Sequence, residues 1–332
     1  MQKTSTFASI IAKFLISLGA FGYNFLKPKL WASGTRNPPY VNNRALQSSV
    51  EARKSLRKAL ASLIKKDELF IIDWVYGIPT AGIAPAVLLA MEINKPLLLK
   101  IKDEYYLVDI PNLKAFIKGS ITRLMQDTDV FAGTVPMGIV CGLMMAEEAE
   151  KPFLFVRKEK KDHGLGLQIE GIVEIGKTVV LIDPAYAGMS PYTEEAEKAL
   201  MEAGLDLNPK SWTLFIDNFI KRLTEKDIGG KTIVGLEDLV STGESSLKEF
   251  LALIGYGTAI IPVSIFDYEL KSSKNSFTAK GLYLRSVLNF KQIIAEFRHS
   301  GNLPFDDEKK LWDWYDNQPN WGDENGFPSV KG

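Results

Sequence analysis

The stretch that decides the fold of this chain is Thr232-Ile233-Val234-Gly235-Leu236-Glu237-Asp238-Leu239-Val240-Ser241-Thr242-Gly243-Glu244-Ser245-Ser246. An apolar run ends in two acids, and a turn of hydroxyl residues with one glycine follows. This order predicts a strand over 232–236, then a turn, then a helix from Leu247. Backbone N–H groups of such a turn can bind a phosphate, with help from the hydroxyl side chains. The alternative is an ordinary helix start capped by Ser or Thr.

An internal repeat lies around this stretch. Residues 76–99 align without gaps to residues 132–155, and each copy follows an amphipathic helix. A weaker repeat relates residues 177–183 to 231–237, where each apolar run ends in an acid; for this pair, the alternative is that any two buried strands look alike. The order helix, strand, Gly-containing loop, helix, strand in each copy predicts an α/β fold with a parallel sheet.

The order of these segments predicts one α/β unit inserted within another. We expect residues 1–100 plus 208–332 to form the first unit and residues 101–207 to form the inserted unit. A simpler alternative is one enlarged domain with two insertions. The apolar stretch Phe7 to Phe25 has helical spacing, which favours an amphipathic helix over a signal peptide. Near the other end, a short helix over Asp307 to Tyr315 is expected before an irregular tail.

Composition limits the possible functions. The chain has 332 residues, enough for a large core, and 40 basic residues balance 40 acidic ones. Zero net charge argues against a nucleic-acid or membrane-surface binder. The single cysteine, Cys141, fits a reducing cytoplasm and excludes both a disulfide framework and a Cys/His metal cluster. No membrane-spanning segment is expected. These features predict a cytoplasmic protein that acts on small molecules.

One segment concentrates positive charge. The cationic segment, Val156 to Gly166, contains four basic residues and one of the chain's two histidines. It has no hydrophobic periodicity, and strand-like runs lie on both sides, so burial of its charges is excluded on energetic grounds. We expect a loop that can close over a polyanion such as pyrophosphate.

Together these motifs resemble the type I phosphoribosyltransferases, and in particular the orotate phosphoribosyltransferase family. Glu237 to Gly243 is similar to the motif for phosphoribosyl pyrophosphate, and the cationic segment with Gln168 to Gly171 is similar to the catalytic loop. Thr80 to Ile83 resembles the pyrophosphate loop, and Trp31 to Arg44 the N-terminal hood. The resemblance implies a type I phosphoribosyltransferase-like α/β fold, with a parallel sheet flanked by helices beneath a hood.

The resemblance also implies an activity and a set of site residues. Such an enzyme transfers ribose 5-phosphate from phosphoribosyl pyrophosphate to orotate, and Mg²⁺ is held largely by substrate oxygens and water. The implied catalytic residues are Lys161, His163 and Asp238. The residues implied to bind phosphoribosyl pyrophosphate are Arg157, Lys158, Glu237, Asp238, Ser241, Thr242, Gly243, Ser245, Thr80, Ala81 and Gly82. Ser33 and Arg44 are the candidates for binding the base, whose carboxylate calls for a cation or N–H donors.

Two departures from the family pattern shape the final hypothesis. Glu244 places an anion beside the phosphate turn, so its side chain is expected to point to solvent. In the inserted unit Pro184 follows Asp183, so that copy lacks the acid pair. One copy thus keeps the acid pair and the other keeps the cationic segment, which suggests a duplicated pseudo-dimer in one chain with one active site. The alternatives are a type I transferase for a different base and a nucleotide sensor without catalysis.

Overall fold

The computed structural model describes residues 6–31, 33–121, 127–134, 136–157, 159, 168–184, 193–208 and 216–330. The strands are β1 (Phe21–Tyr23), β2 (Lys29–Leu30), β3 (Arg36–Asn37), β4 (Pro39–Val41), β5 (Trp74–Gly77), β6 (Leu97–Ile101), β7 (Glu104–Val108), β8 (Val130–Thr134), β9 (Phe153–Val156), β10 (Ile169–Glu170), β11 (Thr178–Ile182), β12 (Asp206–Leu207), β13 (Ile220–Leu223), β14 (Thr232–Val240), β15 (Ala259–Asp267) and β16 (Arg285–Asn289).

The helices flank these strands. They are α1 (Thr6–Ser17), α2 (Val50–Ser62), α3 (Glu68–Ile71), α4 (Ile83–Ile93), α5 (Ile110–Ser120), α6 (Met137–Ala149), α7 (Thr193–Glu202), α8 (Glu225–Ile228), α9 (Glu244–Gly255), α10 (Lys271–Thr278), α11 (Phe290–His299), α12 (Phe305–Asp316) and α13 (Gln318–Glu324). None of the helices in the described part of the chain has both the length and the apolar character that crossing a bilayer requires.

The larger sheet has seven strands in the order β13-β7-β6-β5-β14-β15-β16. Strands β6, β5, β14, β15 and β16 are parallel, while β7 pairs antiparallel with β6. Both faces of the sheet are covered at its centre, where Ile233, Val234 and Leu236 of β14 are fully buried. The predicted α/β fold with a parallel sheet is confirmed.

The smaller sheet repeats the central part of the larger one. Its order is β10-β9-β8-β11-β12, with β8, β9, β11 and β12 parallel and β10 antiparallel to β9. Each sheet therefore has a central strand (β5 or β8) that leads through a buried helix (α4 or α6) to its parallel neighbour. The helix–strand–loop–helix–strand order expected from the repeat is present in both.

Two buried helices join the two sheets. α4 packs against α6, and residues of both helices belong to one hydrophobic core that also includes strand residues of each sheet. Nearly every residue of α4 and α6 is buried. A helix that is apolar on all sides must be covered on all sides. The two halves of the chain thus share one interior.

The boundary predicted at residue 101 is displaced in the structure. Glu104–Val108 does not begin a new unit but folds back on β6, through the turn at Lys102 and Asp103, and extends the seven-stranded sheet. The backbone of Lys102 is left-handed, with φ of 55°. The hairpin is favoured because Tyr105, Tyr106 and Val108 are buried on the two faces of the sheet.

The hood and the C-terminal helices pack together over the larger sheet. The predicted N-terminal helix is confirmed as α1, which buries Ala8, Ile11, Ala12 and Leu15. The predicted irregular tail is wrong, because Gln318–Glu324 forms α13 after α12. Trp321 is buried and its ring stacks on Phe327, with centroids 6.1 Å apart. The burial of this indole supplies the stabilisation that local propensity does not.

A buried arginine fixes the contact between the two halves of the chain. Arg53 of α2 is fully buried, and its Nε donates to Glu147 Oε1 of α6 at 2.7 Å. Its other nitrogens donate to backbone carbonyls of Gln47, Ala146 and Lys151. A buried cation is tolerated only when its donors are satisfied in this way.

Replacement of Arg53 tests this contact. Arg53→Met is expected to lower the free energy of unfolding by about 3–5 kcal/mol, because Glu147 and three carbonyls each lose one hydrogen-bond donor in the interior. The control is Lys54→Met at the next position, where the lysine pairs with Glu150 on the surface and little change in melting temperature is expected. Denaturant unfolding of both variants measures the difference. Equal effects of the two substitutions would contradict a specific role for Arg53.

Candidate active site

Two loops meet at the carboxyl edge of the larger sheet. β5 and β14 are parallel neighbours, so the loops that follow them leave the sheet at the same edge. The Ile78 backbone N–H donates to the Leu236 carbonyl at 2.9 Å, and the Gly82 N–H donates to the Ile78 carbonyl at 2.9 Å. The loop of Thr80, Ala81 and Gly82 therefore lies directly beside the strand that carries the acid pair.

This close approach requires glycine. A β-carbon on Gly82 would overlap the Leu236 carbonyl oxygen and lie 2.8 Å from the Ile78 nitrogen. A β-carbon on Gly77 would lie 2.7 Å from the Gly82 carbonyl oxygen. All of these neighbours are backbone atoms, which cannot move aside without distorting the loop. The glycines thus set the distance between the two loops.

The acid pair lies within β14, not after its end. The prediction that the strand stops at Leu236 is wrong, because Glu237 to Val240 continue to pair with β15. The Ser246 hydroxyl donates to Glu237 Oε2 at 3.0 Å, and the Asp238 N–H donates to Oε1 at 2.9 Å. Burial raises the pKa of Glu237 well above its usual range, and the neighbouring Asp238 carboxylate adds to this shift.

The turn after β14 presents donors toward solvent. Gly243 has φ of 79° and starts α9, so the predicted helix begins at Glu244, three residues before Leu247. Among the residues that the structure describes, the N–H groups of the first three residues of α9 donate no hydrogen bond to the protein. Ser241 and Thr242 are half-buried, while Ser245 and Glu244 are exposed. Glu244 therefore points away from the turn, as expected.

A network of charges connects this edge to the inserted unit. Arg44, from the hood, places its Nη1 2.5 Å from Glu170 Oε2 and its Nε 3.8 Å from Asp238 Oδ2. Glu170 also accepts from Arg157 Nε at 2.5 Å, and Asn43 Nδ2 donates to the Asp238 carbonyl at 2.7 Å. Arg157 and Glu170 flank the cationic segment, and they are called its stem here. The stem thus lies one side chain away from the acid pair.

The structure brings together only part of the site expected from the sequence. Thr80 to Gly82, Glu237 to Ser245 and Arg44 share one edge of the sheet. Among the described residues, the exposed Ser33 hydroxyl shares a hydrogen bond with Thr35 at 2.9 Å and none with these residues, so its role in binding the base stays a prediction. The expectation that no charge of the cationic segment is buried is wrong for Arg157, which is buried because its Nε donates to the Glu170 carboxylate. Lys158, Lys161 and His163 lie outside the described residues.

Three residues of this site carry no role in the sequence-based expectation. They are Asn43, Glu170 and Ser246. Asn43 and Glu170 lie within two of the quoted motifs, but the contact of Asn43 with Asp238 and that of Glu170 with Arg44 depend on the tertiary fold. Ser246 could have been found, because its serine follows the acid pair at the start of a predicted helix. Its hydroxyl is the only side chain of the turn that contacts Glu237 among the described residues.

The inserted unit carries an equivalent edge with different chemistry. A β-carbon on Gly138 would lie 2.5 Å from the Ile182 carbonyl oxygen, as on Gly82 it would meet Leu236. The single acid there, Asp183, is buried and accepts hydrogen bonds from the hydroxyls of Thr134 and Thr193. Its carboxylate is occupied by groups of the protein itself. Residues 185–192 of this turn lie outside the described part of the chain.

The two units also differ in the connection between their second and third strands. In the larger sheet the two-residue turn of Lys102 and Asp103 joins β6 to β7. In the smaller sheet the cationic segment occupies the connection from β9 to β10. The unit with the acid pair therefore has only a short turn between β6 and β7. The unit with the cationic segment has an acid, Asp183, that is already hydrogen-bonded within the protein.

Curated relatives are similar to this chain along nearly its whole length. An orotate phosphoribosyltransferase of Streptococcus thermophilus is 24% identical over 319 residues, which cover 96% of this chain and 100% of that protein. An orotate phosphoribosyltransferase of Lactococcus lactis subsp. cremoris is 22% identical over 312 residues, covering 94% and 96%. No protein-family model matches the sequence.

Solved structures of orotate phosphoribosyltransferases are also similar to this chain. The orotate phosphoribosyltransferase from Aeropyrum pernix has a TM-score of 0.42 at 15% identity, covering 86% of this chain and 98% of that chain. The Francisella tularensis enzyme has a TM-score of 0.38 at 12% identity, covering 93% and 98%.

The fold is a parallel-rich sheet flanked by helices, with paired loops at its carboxyl edge. The chain is similar to orotate phosphoribosyltransferases along nearly its whole length, and the resemblance expected from its motifs is confirmed.

Equivalent glycine substitutions distinguish the two edges. Gly82→Ala and Gly138→Ala are each expected to lower the free energy of unfolding by about 1–3 kcal/mol, because each adds a β-carbon against backbone. Only Gly82→Ala is expected to weaken binding of a phosphorylated sugar beside the acid pair, measured by titration calorimetry with phosphoribosyl pyrophosphate as the probe. Gly119→Ala is the control, since nothing lies within 4 Å of that site. Weaker binding in Gly138→Ala alone would place the site in the inserted unit.

The buried carboxyl of Glu237 predicts a pH-dependent stability. The unfolded carboxyl titrates near 4.5, and the folded pKa is higher, so the folded state retains a proton that the unfolded state releases. Stability should therefore fall as pH rises from about 4.5 through the folded pKa. Glu237→Gln cannot ionise, so its melting temperature relative to wild type should increase with pH.

A thermal melt series between pH 4 and 9 measures this difference. The control is Glu244→Gln in the exposed turn, which is expected to change stability by less than about 0.5 kcal/mol at every pH. A constant offset between Glu237→Gln and wild type across the series would show that Glu237 titrates alike in both states.

Proposed function

We propose that this chain is an orotate phosphoribosyltransferase. In the proposed reaction N1 of orotate bonds to C1 of phosphoribosyl pyrophosphate while the bond from C1 to the pyrophosphate oxygen breaks. The N1 proton is released, and orotidine 5′-monophosphate and pyrophosphate are formed. The observation that carries the proposal is the meeting of three parts at one sheet edge: the glycine-dependent loop, the acid pair and the stem of the cationic segment.

The larger sheet supplies the groups that would hold the ribose phosphate. Asp238 and Glu237 would accept hydrogen bonds from the ribose hydroxyls, and Asp238 is the more accessible of the two. The free N–H groups at the start of α9, with Ser241, Thr242 and Ser245, would bind the 5-phosphate. Gly243 gives the turn its left-handed backbone. The loop of Thr80, Ala81 and Gly82 lies beside the acid pair and would bind the pyrophosphate.

The cationic segment would neutralise the leaving group. As the bond to C1 breaks, negative charge grows on the pyrophosphate, and positive side chains that are already in place lower the barrier. Lys161 and His163 are the proposed catalytic groups, and Lys158 adds charge. The support for this assignment is the stem, which Arg44 connects to Asp238.

Magnesium fits this donor set as an ion carried by the substrate. The accessible carboxylate of Asp238 offers one oxygen ligand, and no group of three or more potential metal ligands is found among the described residues. A Mg²⁺ ion takes few protein ligands when phosphates supply the rest. When bound, it would offset charge on the pyrophosphate. Asp238 is the residue proposed to hold it.

The proposal assigns the two units different tasks. The first unit would bind the substrates, and the inserted unit would supply the cationic segment, so that one chain acts as an asymmetric pseudo-dimer with one active site. The occupied Asp183 of the inserted unit supports this division. The choice of orotate follows the named activity of the relatives, and Arg44 is proposed to contact its carboxylate. A cytoplasmic location, expected from the single cysteine, is part of the proposal.

Turnover of orotate tests the proposal. Wild-type protein with phosphoribosyl pyrophosphate and Mg²⁺ is expected to consume orotate, followed by its ultraviolet absorbance. Lys161→Ala is expected to lower kcat by about 10²–10³, the effect of removing one group that stabilises transition-state charge. Lys118→Ala, an exposed lysine of α5, is the control and should leave kcat unchanged.

Other outcomes distinguish the alternatives. Turnover of a different base, without turnover of orotate, would identify another type I transferase. Binding of phosphoribosyl pyrophosphate without turnover of any base would identify a sensor. Full activity of Lys161→Ala would refute the role given to the cationic segment.

A further inference from the structure

Glu170 lies between two arginines beside the acid pair. Its side chain is 7% exposed and lies 2.5 Å from Arg157 Nε and 2.5 Å from Arg44 Nη1. Arg44 belongs to the hood, whereas Arg157 and Glu170 belong to the stem. One buried carboxylate of the inserted unit thus holds a cation of each half of the chain.

Arg44 stands between two competing carboxylates. Its Nη1 forms a close ion pair with Glu170 Oε2 at 2.5 Å, although that contact lacks hydrogen-bond geometry, and its Nε lies 3.8 Å from Asp238 Oδ2, beyond hydrogen-bond range. Asn43 holds the Asp238 backbone through the carbonyl at 2.7 Å, so the strand cannot shift toward Arg44 without losing that bond. Arg44 is therefore bound to Glu170 and only near Asp238.

We propose that Glu170 is a positioning residue that keeps Arg44 from forming a full ion pair with Asp238. The Asp238 carboxylate then stays open to accept hydrogen bonds from ribose hydroxyls. Identification of the ligand as a phosphoribosyl group rests on the proposed function. The mechanism itself rests on the competition of two carboxylates for one guanidinium.

The chain contains a matched control for this proposal. Glu147 is also a buried carboxylate of the inserted unit, its side chain is 5% exposed, and it also pairs with two arginines of the first unit, Arg53 and Arg57. It lies on α6, and no contact with the acid pair is found for it within the described residues. Glu147→Gln makes the same chemical change and breaks the same kind of contact between the two halves.

The test compares affinities for phosphoribosyl pyrophosphate with Mg²⁺ by titration calorimetry. Glu170→Gln is expected to weaken binding about tenfold, since Arg44 then pairs with Asp238 and must be displaced by the ribose. Arg44→Ala combined with Glu170→Gln is expected to bind like Arg44→Ala alone, because Glu170 acts only through Arg44. Glu147→Gln is expected to lower the melting temperature without changing the affinity. Glu170→Asp keeps the charge and should recover most of the binding.

Several results would overturn the inference. They are an unchanged affinity in Glu170→Gln, an equal loss in Glu147→Gln, or a double variant as weak as Glu170→Gln. If Glu170→Gln does not fold, tighter or unchanged binding by Arg44→Ala supports the proposal and tenfold weaker binding refutes it. Wild-type protein that binds this ligand but does not consume orotate overturns only the proposed reaction. Wild-type protein that does not bind it overturns both.

Discussion

The approach of two backbone segments at Gly82 is the constraint on which the candidate site depends. The loop after β5 touches the carbonyl of Leu236, and any side chain at Gly82 would separate them. That contact places Thr80 and Ala81 beside Glu237 and Asp238. The same geometry recurs at Gly138 and Ile182 in the inserted unit, where the acid is bound by two threonine hydroxyls. The backbone arrangement is therefore common to both units, and only the side chains decide which edge can bind a ligand.

Charge is arranged locally in a chain with no net charge. The acid pair and the free N–H groups of α9 lie on the larger sheet, and the basic side chains belong to the hood and the cationic segment. Between them, Glu170 holds Arg44 and Arg157 in a buried cluster. Burial strengthens these ion pairs, so the loss of one charged side chain changes how the remaining ones pair. The balance of 40 basic and 40 acidic residues does not reveal this local separation of charge, because these side chains interact over a few ångströms.

The sequence predicted the features that depend on local pattern and missed those that depend on distant partners. The α/β order and the N-terminal helix followed from periodicity and the repeat, and the family resemblance assigned the two loops to one site. β14 is longer than predicted because β15 continues to pair with it past two acids that disfavour a strand. α13 exists because Trp321 is buried, and β7 joins the first sheet through a hairpin. Arg44 lies near Asp238 because of the path of the hood, which no local pattern encodes.

The joining of both halves through α4 and α6 has a consequence for the behaviour of the protein at low concentration. A site shared between two separate chains is lost on dilution, because association then competes with translational freedom. Here the acid pair and the stem of the cationic segment are covalently linked and packed in one core, so their effective concentration is fixed by the chain. The contact between the acid pair and the stem therefore does not vary with the amount of protein present.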